Sequence, residues 1–146
     1  MKITVNTKPT IQEIEVIINC AAEDTTVRRI VGTLCSIDSK LVCRRDGETF
    51  YLDVGNILYI ESVNRRTFIY TNEHIYETDK RLYELEDNLN ELSFFRASKA
   101  IIINLQRVRS LRPELGARLL LTMDNDEKII VSRQYAGKIK EALEVV

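Results

Sequence analysis

From Leu41 onward the chain never holds one hydrophobic pattern for long. Short runs alternate apolar and polar residues, and each run is closed by a turn signal. A period of two puts one strand face in the core and the other in water, so the pattern predicts antiparallel sheet built from hairpins. Leu41 to Arg44 and Thr49 to Leu52 flank Asp46-Gly47, a strong hairpin signal. Asn56 to Val63 reads as a strand, and Thr67 to Thr71 turns through Asn72-Glu73 into His74 to Thr78. Phe94-Phe95 brings two aromatics together as core anchors, and Ile101 to Ile103 is a buried strand or a short extended stretch. Arg107 to Arg112 alternates basic and apolar residues, a strand with its arginines on one face. Arg118 to Met123 and Lys128 to Val131 pair across Asp124 to Glu127. Two helices interrupt the strands. Asp79 caps one near Lys80, with Leu82, Leu85 and Leu89 inside, and Ser132 caps the last, with Tyr135, Ile139 and Leu143 on one stripe.

The first forty residues read differently. Ile3 and Val5 alternate with polar neighbours, and Glu15 to Cys20 is a β-branched run, so both predict strands. Asp24 or Thr25 caps a helix whose Val27, Ile30, Val31 and Leu34 recur at i, i+3, i+4, i+7, and Ser36 to Lys40 is its exit. The expected organisation is a small N-terminal α/β extension, residues 1–40, a candidate dimerisation or regulatory element, ahead of a mainly β domain, residues 41–146.

Composition narrows the function. A chain of 146 residues with 45% hydrophobic and 29% charged residues has the balance of one ordinary globular domain. No apolar run reaches the roughly 18 residues of a membrane span, and Met1 to Thr10 lacks a secretory apolar core, so a cytoplasmic location is expected. Three cysteines, Cys20, Cys35 and Cys43, without a C-x-x-C pair read as buried reduced thiols. With His74 the lone histidine, no zinc set or histidine-based triad assembles, and no phosphate-binding or nucleophile-elbow motif occurs. Glu61, Glu73, Glu77 and Asp79 have no evident catalytic partner and read as solvated surface. The expectation is no enzyme, no cofactor, no metal and no small-molecule substrate.

Net charge is −1, yet its distribution is uneven. Arg96, Lys99, Arg107, Arg109 and Arg112 fall in a stretch without an acidic residue, whereas Glu84 to Glu91 holds four acidic residues and no basic one. Local sign decides where a phosphate backbone is accepted. Three places could accept one. Small residues around Arg96, Ser98 and Lys99 permit close approach to phosphate. Asn64-Arg65-Arg66 forms a hairpin loop with two guanidiniums suited to phosphate or guanine edges. Ser132-Arg133-Gln134 opens a helix whose free amides attract anions. Taken singly, each also reads as charged, solvated surface.

Taken in order, Ile57-Leu-Tyr-Ile-Glu-Ser62, the Asn64-Arg65-Arg66 loop, Leu82 to Leu89, Phe94-Phe-Arg-Ala-Ser-Lys-Ala-Ile-Ile-Ile-Asn104 and Val131-Ser-Arg133 make the chain similar to the LytTR-type DNA-binding domain family over residues 41–145. The resemblance implies an elongated, mainly antiparallel β fold. It also implies a bacterial-type, sequence-specific transcription regulator whose loops, rather than a recognition helix, enter successive major grooves. It places base contacts at Arg65, Arg66, Thr67, Lys99 and Arg133, phosphate contacts at Arg96, Ser98, Arg107, Arg109 and Gln134, and a structural role at Asn104. Many members carry His or Asn where this chain has Thr67 and Lys99, so a member's base preference does not carry over. Full-length members usually carry a receiver domain, for which forty residues leave no room. The chain therefore resembles the small stand-alone members, whose genes often accompany one for a small membrane protein. Expected partners are double-stranded DNA with paired repeat sites, a second copy as a homodimer, and a small membrane protein. The alternative is a non-enzymatic cytoplasmic interaction module that regulates such a membrane partner.

Overall fold

Asp46 and Gly47 turn the chain with φ of 51° and 79°, both in the left-handed region that a two-residue hairpin turn demands. They join β1 (Lys40–Arg45) to β2 (Glu48–Asp53) in unbroken register from Lys40↔Asp53 to Arg45↔Glu48. The structure, a computed structural model, describes residues 1–37, 39–89 and 93–143. Asp38 of the expected helix exit, Glu91 of the acidic run and positions 144–146 of the expected second domain lie outside the described residues.

β3 (Ile57–Val63), β4 (Arg66–Thr71), β5 (Ile75–Thr78), β6 (Phe94–Ser98) and β7 (Ile101–Asn104) complete a seven-stranded sheet in the order β2-β1-β5-β4-β3-β7-β6. β8 (Val108–Glu114), β9 (Arg118–Met123) and β10 (Lys128–Val131) form a second sheet in the order β10-β9-β8. Every pairing is antiparallel. Among the described residues there are three short helices, α1 (Thr25–Ile37), α2 (Leu82–Asn88) and α3 (Arg133–Ala142), and the fold is mainly antiparallel β, as expected.

β3 is buried on both faces, which is why it reads as a continuous apolar run. Ile57 and Ile60 meet Leu82, Leu85 and Leu89 around α2 on one side. Leu58 and Tyr59 face the second sheet and the Ala136 and Ile139 stripe of α3 on the other. A register slip between Ile57 and Tyr59 lets two successive residues share that second core.

Several sequence expectations are corrected. Phe94 and Phe95 do not come together: alternation along β6 sends Phe94 to the α2 core and Phe95 to the α3 core. Asp79 does not cap α2. Arg81 holds that position, and the Asp79 carboxylate accepts from Arg44 at 2.6 Å instead. Arg107 lies in a 3₁₀ turn, Leu105–Arg107, ahead of β8. A bulge between Val108 and Ser110 then leaves Arg109 and Arg112 both exposed.

Among the described residues there is no strand before Lys40. The expected strand residues Ile3 and Val5 are 78% and 83% exposed, since alternation makes a strand only where another edge offers hydrogen bonds. α1 does form, and Asp24 caps it by accepting from the Val27 amide at 3.0 Å. Its stripe is half-buried at Val27, Ile30 and Leu34, while Val31 is exposed. Of the cysteines only Cys43 is buried, and burial pushes its thiol up to about 11. Cys20 and Cys35 are exposed, contrary to expectation. Among the described residues no helix is long and apolar enough to cross a membrane.

Candidate nucleic-acid interface

Antiparallel register decides which turns share an end of a sheet. Glu61 pairs with Ile101, and the Ser62 amide donates to the Ala100 carbonyl at 2.8 Å. The β3–β4 turn and the β6–β7 turn therefore stand at the same end of the large sheet. The Ser132 amide donates to the Ala97 carbonyl at 2.8 Å, which fixes the start of α3 to the end of β6. Ser98, Lys99, Ala100, Ser132, Arg133 and Gln134 line one open cleft of about 600 Å³ there. The three places picked from the sequence thus meet at one end of the fold.

Partners sort the cations. Arg96 is largely covered, and its guanidinium donates to Glu86 at 2.7 Å and to the Lys99 carbonyl at 2.7 Å. It clasps the β6–β7 turn rather than facing solvent. Arg107 donates to the Gly55 carbonyl at 2.8 Å and lies 3.7 Å from Asp124, at the opposite end of β3. Arg109 pairs with Asp126 in the β9–β10 turn, also away from α3's start. Arg112 pairs with Glu114 at 3.3 Å. Among the described residues Arg65, Lys99 and Arg133 have no acidic partner, and all three are exposed at the shared end.

The first loop is tighter than expected. Asn64 and Arg65 alone make the turn, with φ of 51° and 65°, and Arg66 is the first residue of β4. Arg66 is held along the strand: it pairs with Glu77 at 2.5 Å and its guanidinium lies 5.1 Å from the centre of the Phe68 ring. The hydrogen bond from Arg66, and then the charges of Arg66 and Arg44, hold the Glu77 carboxyl below the usual carboxylate range. Thr67 is 3% exposed, buried by the strand alternation that turns Arg66 outward, so its hydroxyl is not part of this surface. Ser98 Oγ accepts from the Ala100 amide at 3.2 Å, which leaves its proton free to donate outward.

Ser132 stands at the start of α3, but its hydroxyl makes no capping bond, contrary to expectation. Helix geometry leaves the Arg133 and Gln134 amides without intrahelical acceptors, beside two exposed side chains. Sequence reasoning missed Arg81, which donates to the Arg65 carbonyl at 3.1 Å and steadies the turn. It also missed Glu86, the partner of Arg96, and Ala97, whose carbonyl docks α3. No local motif marks these three; their roles depend on partners at least ten residues away.

Arg65 yields a test that separates function from folding. A non-glycine residue in the left-handed region costs about 1–2 kcal/mol, which offsets the roughly 0.5–1 kcal/mol that glycine loses in chain entropy. Arg65→Gly should therefore keep or raise the melting temperature while weakening DNA binding, read by thermal melts beside duplex titrations. A lower melting temperature with unchanged DNA affinity would make Arg65 a structural residue.

A family model, the LytTr DNA-binding domain, matches residues 47–144. A solved structure, the LytTr DNA-binding domain of a response regulator from Bacillus cereus, has the same fold, with a TM-score of 0.68 at 24% identity, over 73% of this chain and 97% of that one. The sensory transduction protein LytT of Bacillus cereus is 26% identical over 121 residues, 82% of this chain and 49% of its own length. The transcriptional regulatory protein LytR of Staphylococcus aureus is 27% identical over 124 residues, 84% of this chain and 50% of its own. The chain spans about half the length of these curated relatives.

Proposed function

The chain belongs to the LytTr DNA-binding domain family, and from that premise we propose that it is a sequence-specific transcription regulator that reads duplex DNA through turns. The observation that carries the reading is the sorting of cations. Among the described residues Arg65 and Lys99, on two turns, and Arg133, at the start of α3, stand at one sheet end without acidic partners, while Arg96, Arg107 and Arg109 are engaged by Glu86, Asp124 and Asp126. In this reading Arg65, Lys99 and Arg133 reach base edges. Arg66 lies beside them, and Ser98, Gln134 and the α3 amides hold phosphate. Arg96 positions the Lys99 turn. In this reading the loops enter successive major grooves, and paired repeats would seat two copies.

Counterion release gives the test. A regulator of this kind loses duplex affinity steeply as salt rises, with a log–log slope near −0.9 for each phosphate neutralised. A protein-only module that regulates a membrane partner shows no duplex affinity and no slope. Lys99 then distinguishes base from backbone contact. Lys99→Ala should cost about 1–3 kcal/mol on a cognate duplex and relax preference at one or two positions. Equal loss on cognate and random duplexes would place Lys99 on phosphate instead.

A further inference from the structure

Seven of the sixteen exposed large apolar side chains of the described residues lie in the first 17 positions, among them Ile14 at 92%, Ile17 at 72% and Val16 at 58% exposed. Residues 12–20 form no strand, and among the described residues they make no backbone–backbone hydrogen bond. An apolar segment outside any helix or strand, its amides and carbonyls without backbone partners, is a template for an external partner.

The same chain carries a matching receptor. A groove of about 490 Å³ runs between α1 and the end of α3. Phe95, Leu105 and Leu143 contribute apolar surface to it, and Val31 faces it from α1. Arg28 and Arg29 make its α1 rim basic, while Lys138 and Glu141 on α3 carry one charge of each sign and Glu23 adds an acid just before α1. Nothing from residues 1–20 lines it. The arm offers the complement: Ile14, Val16 and Ile18 on one face of an extended chain, Glu13 and Glu15 on the other.

We propose that the arm of one chain, residues 11–18, seats in the α1–α3 groove of a second copy, and that the exchange is reciprocal, closing a two-fold dimer. The apolar face covers Val31, Phe95 and Leu105, and Glu13 and Glu15 meet Arg28 and Arg29. Reciprocal exchange uses each arm and each groove once, so the assembly stops at two chains. This inference stands apart from the DNA reading, because its readout is mass in solution.

The test uses charge reversal in the full chain, with mass followed by sedimentation equilibrium at low salt. The wild type should show twice the 16.9 kDa chain mass. Glu13→Arg with Glu15→Arg should sediment as a single chain, and so should Arg28→Glu with Arg29→Glu. All four residues are exposed, so folding, checked by circular dichroism, should be unchanged. Mixing the two variants pairs each arm with a groove of opposite sign and should restore the double mass. A wild type of single-chain mass overturns the proposal, and so does a dimer that ignores either reversal. Variants that are monomeric alone and stay so when mixed would overturn it as well, because Glu13 and Glu15 would then not pair with Arg28 and Arg29 of the second copy.

Discussion

Asn104→Ala is expected to lower stability by roughly 2–4 kcal/mol, the cost of two lost hydrogen bonds with a buried acceptor left bare. Asn104 is 2% exposed. Its Nδ2 donates to the Ile57 carbonyl at 2.9 Å, and its Oδ1 accepts from the Gln106 amide at 3.1 Å. One side chain thus ties the start of β3 to the end of β7 and opens the Leu105–Arg107 turn. Ile57 is fully buried, so water does not readily replace the missing donor. Asn104→Asp should be worse, since a carboxylate cannot donate to Ile57 and would bring a charge into the interior. Denaturant unfolding with unchanged slope measures the loss. A loss well under 1 kcal/mol for Asn104→Ala would mean that the end of β7 is held by packing alone. Because Asn104 lies at the end of the sheet away from the candidate interface, the folded variant should still bind DNA.

Arg133→Ala should do the reverse. A cation in the first turn of a helix is disfavoured by the helix dipole by about 0.3–1 kcal/mol, and among the described residues Arg133 has no ion pair to offset that. The melting temperature should stay level or rise slightly. On DNA the guanidinium and the α3 amides face negative charge together, so the loss of one charged hydrogen bond should weaken specific binding about tenfold or more. Thermal melts and duplex titrations at fixed salt measure the two effects. A variant that melts much earlier yet binds normally would make Arg133 a structural residue.

Strands with partners nearby in sequence were legible. Asp46-Gly47 marks its hairpin because only certain residues tolerate the left-handed turn, and Leu82, Leu85 and Leu89 mark α2 because one helical face is buried. Ile3 and Val5 misled because alternation specifies a face without supplying a partner. The resemblance and the residue chemistry together picked the three turns, but not the state of each cation. Arg96 and Arg109 look as free in sequence as Lys99, yet Glu86 and Asp126, ten and seventeen residues away, engage them. The boundary between Arg65 and Arg66 was equally hidden. A two-residue turn puts one arginine on the tip and the next on a strand against Glu77.

Selection of duplexes from a random pool tests the central claim most directly. The full chain and its Lys99→Ala, Arg133→Ala double variant should each be carried through the same rounds at fixed salt. The account predicts one recurrent motif, arranged as a paired repeat, enriched by the wild type and lost or strongly degraded with the double variant. No enriched motif with the wild type, or the same motif enriched equally by the double variant, would contradict it.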